Sequence, residues 1–171
     1  MKKVLILLLI LIIISVYKAN NQYIIPDTSI RLRVIPNSNE PKDINIKEKV
    51  KDYLEKDIYT KLKDTNNIEK ARTIIKESIP DIETNIDTIF KNNNYQNTYN
   101  INYGNNYFPQ KVYKGIKYKE GYYESLVISI GKAKGDNWWC ALFPNFCLID
   151  KNKKQEHKVY IKEIIKKHSK K

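Results

Sequence analysis

With 171 residues, the chain fits one domain of ordinary size plus a short terminal segment. Hydrophobic residues at 42% and charged residues at 29% place it among globular proteins, with enough apolar matter for a core. The formal net charge of +12 raises nucleic-acid binding, but of the 31 basic residues only Arg31, Arg33 and Arg72 are arginine, the side chain on which base readers rely. No nucleic-acid partner is therefore expected. The excess of Lys, Asn, Ile and Tyr is what A+T-rich codons supply, and the charge it brings predicts only a weak, salt-sensitive attraction to anionic lipid or wall polymer.

The N-terminus carries the strongest physical signal. Met1-Lys2-Lys3 precedes an unbroken apolar run from Val4 to Ile14, followed by Ser15-Val16-Tyr17-Lys18, the layout of an export signal. As a helix, Val4 to Tyr17 spans about 21 Å, short of the roughly 30 Å hydrocarbon core, so a signal peptide fits better than a full membrane span. Cleavage before Asn20 would put Tyr17 three residues upstream of the cut, where a small residue is wanted. Two fates therefore stand open for residues 1–19: removal as a signal peptide, or retention as an uncleaved anchor with Lys2, Lys3 and Lys18 snorkelling to the interface.

Residues 20–27 read as a linker. Thr28–Ile35 alternates Ile30, Leu32 and Val34 with Arg31 and Arg33, the pattern of a half-buried strand. Asn37-Ser38-Asn39-Glu40-Pro41 supplies capping groups and a first-turn proline ahead of Ile46, Val50, Leu54, Ile58 and Leu62, whose spacing of four predicts an amphipathic helix. A polar break at Asp64–Asn67 leads into Ile68, Ala71, Ile75 and Ile79. Pro80 predicts that this helix stops or kinks near Ser78 before Ile82, Ile86 and Phe90 continue the stripe. Tyr95, Tyr99, Ile101 and Tyr103 mark a strand, and Gly104-Asn105-Asn106 reads as a turn. Lys111–Lys119, a turn at Glu120-Gly121 and Tyr122–Gly131 predict a hairpin whose second arm, through Leu126-Val127-Ile128-Ser129-Ile130, is apolar enough to lie centrally in a sheet. After Trp138–Cys147, a basic helix from about Lys158 to Lys167 closes the chain, with Val159, Ile161, Ile164 and Ile165 on its apolar side.

Signatures of catalysis are missing. There is no Gly-x-Ser-x-Gly elbow, no phosphate-binding glycine loop and no His-Glu-x-x-His helix, and His157 and His168 are the chain's only histidines. No catalytic residue, metal site or cofactor is expected. The sharpest enzymatic alternative is an exported, wall-acting Cys/His hydrolase with Cys140 or Cys147 as nucleophile and His157 as base; a module binding anionic wall polymer is the other alternative.

Cys140 and Cys147 are the only cysteines, and in a chain expected to leave the cytoplasm a disulfide is the leading reading. Two buried thiols are the alternative, and zinc lacks the further ligands it needs. Trp138, Trp139, Phe143 and Phe146 suit either a core or a recognition patch.

These same residues carry a resemblance. Gly135-Asp136-Asn137-Trp138-Trp139-Cys140-Ala141-Leu142-Phe143-Pro144-Asn145-Phe146-Cys147, with Phe108-Pro109-x-Lys111, Glu120-Gly121-Tyr122-Tyr123-Glu124-Ser125-Leu126 and Ile30-Arg31-Leu32-Arg33-Val34-Ile35-Pro36-Asn37-Ser38, resembles the stage II sporulation protein R family over most of the chain beyond Ser29. Glu40 departs from the Ser that the family often places before the helical Pro, and Asn145 from a usual second Pro. The resemblance implies a signal in endospore-forming bacteria: made in the forespore, exported into the space between the two membranes, and binding a membrane-embedded aspartic protease that then cleaves a mother-cell sigma-factor precursor.

The expected protein is thus an α+β single domain, with a mostly antiparallel sheet packed against two or three helices and an N-terminal hydrophobic export segment before it. Residues 28–150 form the signalling domain and residues 151–171 the basic C-terminal helix and tail. It is expected to be a protein-binding ligand rather than an enzyme. Receptor-binding candidates are Asn137, Trp138 and Trp139, joined by Arg31, Arg33 and Glu124 on the premise that a charge on a strand's outer face is open to a partner.

Overall fold

The computed structural model describes residues 2–20, 23–24, 28–113 and 116–144. Two compact units form. One takes in Met1–Ile25 and Phe108–Gly121, the other Pro26–Tyr107 and Tyr122–Lys171.

The larger unit is α+β. Strand β2 (Ile30–Ile35) leads into helix α2 (Pro41–Leu62) and helix α3 (Ile68–Asn92), followed by β3 (Tyr99–Phe108), and later by β6 (Gly121–Ile130) and β7 (Trp138–Phe143). The four strands form a mostly antiparallel sheet in the order β3-β6-β2-β7. β2 runs parallel to β6, pairing Arg31 with Ser125 and Arg33 with Val127, and antiparallel to β7, pairing Arg33 with Trp139 and Val34 with Trp138. Contacts between β3 and β6 join Thr98 to Gly131 at one end and Tyr107 to Tyr122 at the other, so these two run in opposite directions.

The core lies between the sheet and the two helices. Ile46, Val50, Leu54, Ile58 and Leu62 are all buried, as their spacing of four predicts, against Leu32, Val34, Leu126, Ile128 and Ile130. α2 opens at Pro41, where a missing N–H costs nothing, with Asp43 in its first turn. Asn67 caps α3 by accepting the Glu69 and Lys70 N–H groups at 2.8 and 3.2 Å.

The expected break near Ser78 does not occur, because α3 is continuous through Pro80. An interior proline costs roughly 3 kcal/mol. Ile82, Ile86 and Phe90 beyond it extend the buried stripe of Ala71, Ile75 and Ser78, and each such side chain returns about 1.5–3 kcal/mol on burial. Packing therefore outweighs the lost bond. Ser78 Oγ, which donates to the Ile74 carbonyl at 2.7 Å, satisfies its own hydroxyl within the stripe.

Two further expectations fail in the strands. Gly104-Asn105-Asn106 does not turn; β3 runs straight through it. The Asn106 amide holds the segment in the sheet by donating to Asn102 Oδ1 at 2.9 Å, the Gly104 carbonyl at 3.2 Å and Ser125 Oγ at 3.1 Å. Nor does Lys111–Lys119 form a hairpin with Tyr122–Gly131. Instead β4 (Lys111–Tyr113) pairs antiparallel with β5 (Ile116–Tyr118), and β6 goes to the interior of the large sheet, as its apolar run predicts.

In the smaller unit β5 also pairs parallel with β1 (Tyr23–Ile24), giving a three-stranded sheet β1-β5-β4 within which part of the expected linker is a strand. Helix α1 (Lys2–Asn20) covers the apolar run, and Val4 and the residues from Ile6 to Ile13 are exposed. Among the described residues no helix is long and apolar enough to cross a membrane. Cys147, His157, His168 and the expected C-terminal helix lie outside the described residues.

Candidate functional site

Register assigns each candidate to a face of the large sheet. Leu32, Val34, Leu126 and Ile128 point to the helices, and pairing puts Trp138 and Cys140 with them. Arg31, Arg33, Ser125, Val127, Trp139 and Ala141 share the opposite face. The adjacent tryptophans therefore face opposite ways.

That second face is not an open surface. Arg31, Ser125 and Ala141 are fully buried, and Val127, Trp139 and Tyr123 nearly so. The Arg31 guanidinium carbon lies 3.2 Å from the centre of the Tyr123 ring, a stacked cation–π contact. Arg33 is half-buried, and burial pulls its guanidinium below the usual arginine range. Alternation along β2 correctly separates the two faces, but it does not make the arginine side an outer one: this sheet is buried on both.

Glu124 sits on the helix side, where Arg72 from α3 holds it. Arg72 Nε lies 3.0 Å from both carboxylate oxygens and Nη2 2.8 Å from Oε2, while Tyr103 Oη donates to Oε1 at 2.5 Å. The Arg72 bonds lead in holding the Glu124 carboxyl below the usual range. Its acceptors are engaged within the fold.

Asn137 occupies a different setting. The loop Pro36–Asn39 after β2 and the loop Gly131–Asn137 before β7 interlock at one end of the sheet. Asn37 Oδ1 accepts the Lys132 N–H at 2.9 Å, its carbonyl accepts the Lys134 N–H at 3.1 Å, and its amide donates to Asp43 Oδ2 at 2.7 Å. Asn39 Oδ1 accepts the Asp136 N–H at 2.6 Å, and the Gly135 N–H reaches the Pro36 carbonyl at 3.1 Å. Gly135 lies so close to the Ser38 carbonyl that a Cβ there would collide with backbone.

Beneath the junction lies Asp43, a buried carboxylate. Ser38 Oγ donates to Oδ2 at 2.6 Å and Tyr95 Oη to Oδ1 at 2.6 Å. Burial opposes ionisation of Asp43, but the hydrogen bonds from Ser38, Tyr95 and Asn37 outweigh it and hold the group ionised below its ordinary range. Burial first, and the Asp43 bond second, push the Tyr95 hydroxyl up to about 12. Exposed Lys42, Lys132 and Lys134 surround this end, and Lys47 Nζ reaches the Asp136 carbonyl at 3.4 Å. The result is a hydrogen-bonded rim carrying Asn137 and half-buried Trp138, with exposed Glu40 and Asp136 among the lysines.

Among the six candidates, then, the structure brings Asn137 and Trp138 to the rim, puts Trp139, Arg31 and Arg33 on the buried second face, and commits Glu124 to Arg72. Sequence reasoning missed Asp43, Asn37 and Tyr95 as the groups that hold the rim. Asn37 and Gly135 stood inside the quoted motifs, but nothing in their spacing showed that the two motifs touch.

The comparison with known proteins spans both interlocked loops. The family model for stage II sporulation protein R matches residues 26–168. The chain belongs to this family. It is 35% identical over 134 residues to stage II sporulation protein R of Bacillus subtilis (strain 168), a match covering 78% of this chain and 60% of the relative. The chain thus spans about three-fifths of that relative's length. No solved structure matches it significantly. Membership supports a sporulation-related role.

Proposed function

We propose that this protein is an exported sporulation signal, a non-catalytic ligand that binds the extracytoplasmic side of a membrane-embedded aspartic protease and so leads to processing of a mother-cell sigma-factor precursor. Family membership across residues 26–168 carries the reading. The ligand acts by binding the protease's active state better than its resting one, which is all that activation by a partner requires. The rim bearing Asn137 and Trp138 supports contact there, because interlocked loops present a preformed surface with little ordering cost.

Delivery rests on the N-terminus, whose basic start and apolar α1 suit export from the forespore, with residues 4–17 either removed or kept as an anchor. An extracytoplasmic location suits a Cys140–Cys147 disulfide, and among the described residues no cysteine is a free thiol. Cys140 is disfavoured as the nucleophile of the hydrolase alternative by its placement, buried on the helix side of β7, since a nucleophilic thiol needs access to substrate.

The test is reconstitution in a non-sporulating host carrying the protease and the sigma precursor, with either the full chain or residues from about Asn20 onward sent outside the cytoplasm. Precursor cleavage that depends on the full chain supports the signal. Cleavage by the shorter form as well assigns α1 to delivery alone. Absence of cleavage with folded chain and competent protease overturns the reading.

A further inference from the structure

β3 is an edge strand of the large sheet, and among the described strands only β6 pairs with it. Edges in natural sheets are guarded by lysine, proline or a covering element, because an open row of N–H and C=O groups recruits another strand. Between Tyr99 and Tyr107 this edge has neither lysine nor proline. Indeed, no Asp, Glu, Lys or Arg occurs anywhere from Asn92 to Gln110, in a chain whose charged fraction is 29%. Lys91 and Lys111 bound the neutral stretch.

The geometry of the strand fits its composition. The Gly131 N–H reaches the Thr98 carbonyl at 2.8 Å, so Thr98 turns its backbone toward β6, and by the alternation of an antiparallel ladder Tyr99, Ile101 and Tyr103 turn theirs outward. Tyr99, Ile101 and Tyr103 pack against the core and hold the strand in place, while Asn100, Asn102 and Asn105 are exposed. At the far end Tyr107 and Tyr122 stack edge to face at 5.6 Å, exposed by 49% and 74%. Aromatic surface of that kind is what seats a partner's side chain.

From this we infer that β3 is a docking edge that takes up an extended, uncharged strand contributed by the extracytoplasmic part of the protease. The inference rests on the proposed function and adds the mode of binding. Main-chain hydrogen bonds along β3 supply affinity, and the tyrosine pair supplies a side-chain seat. A second copy of the chain is the poorer occupant, because two partners of charge +12 repel.

Hydrogen exchange of the full chain, alone and with the purified protease in nanodiscs, tests it. The expected result is amide protection by about tenfold or more over Tyr99–Tyr107 on adding protease, with α2 unchanged. The Asn100→Lys/Asn105→Lys double variant, which alters exposed side chains with no role in the core, is expected to melt like the parent and bind about tenfold more weakly. Binding with protection confined to the rim at Lys132–Trp138 would overturn the docking edge while leaving the proposed function standing. Protection that grows with chain concentration in the absence of protease would overturn it in favour of self-pairing. No binding at all would overturn both.

Discussion

Tyr95 donates its hydroxyl to the Asp43 carboxylate at 2.6 Å across 52 positions of sequence, tying the segment after α3 to the first turn of α2 beneath the rim. The two groups titrate in ways that constrain stability at opposite ends of the pH scale. Asp43 has a lowered pKa in the folded protein, so its contribution is present above the unfolded carboxyl value of about 4 and is lost as pH falls through the folded one. Tyr95 is raised to about 12, so its contribution is present below the ordinary tyrosine value of about 10 and is lost as pH rises toward 12. Denaturation midpoints measured against pH should show both slopes, and Tyr95→Phe should reduce the alkaline one, to which the raised Tyr99 and Tyr103 hydroxyls also contribute. Asp43→Asn, which leaves donors facing donors, should cost about 1–3 kcal/mol at neutral pH.

Arg72 and Glu124 predict a different separation. Because Glu124 is held by Arg72 and Tyr103, its removal should register in stability before it registers in binding. Arg72→Ala and Glu124→Gln are each expected to lower stability by about 1–2 kcal/mol, the range for charge-assisted bonds at a partly exposed site. Precursor cleavage at a temperature where the variants stay folded should match the parent. A folded Glu124→Gln protein that fails to support cleavage would assign Glu124 to the receptor contact instead.

How much of this could be read in advance depended on the range of each interaction. The stripe from Ile46 to Leu62 was legible because a helix's burial pattern is set by its own residues, and so was the central place of Leu126–Ile130, which is apolar on both sides. Pro80 misled because the local penalty is visible in sequence while the packing that offsets it is not. Gly104-Asn105-Asn106 misled for the same reason: the bonds from Asn106 to Ser125 come from a strand some twenty residues away. At the candidate site, the residue types were noticed and their environments were not. Whether Arg31 meets water or a tyrosine ring depends on what lies over the second face, which alternation within β2 cannot report.

The interlocked loops give a prediction about glycine. At Gly135 a Cβ would meet the Ser38 backbone and approach Pro36 Cγ to 2.6 Å, and at Gly131, where φ is +55°, it would come within 2.9 Å of Asn37 Cβ. Gly135→Ala should force the loops apart, costing about 1–3 kcal/mol, the range for overpacking. Because backbone rather than a flexible side chain is struck, the rim itself should shift. Chemical-shift changes centred on Ser38, Asp136 and Asn137, with α3 unaffected, would verify that local response. Cleavage activity should fall by more than the stability loss explains if the rim contacts the protease.

The two arginines of β2 should separate sharply despite lying two residues apart. Arg31 is fully buried against Tyr123, whereas Arg33 is only half-buried. Truncating a buried charged side chain leaves both a cavity and its former partners unmatched, so Arg31→Ala is expected to cost about 3–5 kcal/mol and Arg33→Ala appreciably less. Arg31→Lys should recover little of that loss, since an ammonium cannot lie flat on the Tyr123 ring as the planar guanidinium does. Chemical denaturation of the three variants checks the order. If Arg31→Ala stays as stable as the parent but no longer supports precursor cleavage, the second face is a contact surface after all and the burial seen for Arg31 is not what keeps it in the sequence.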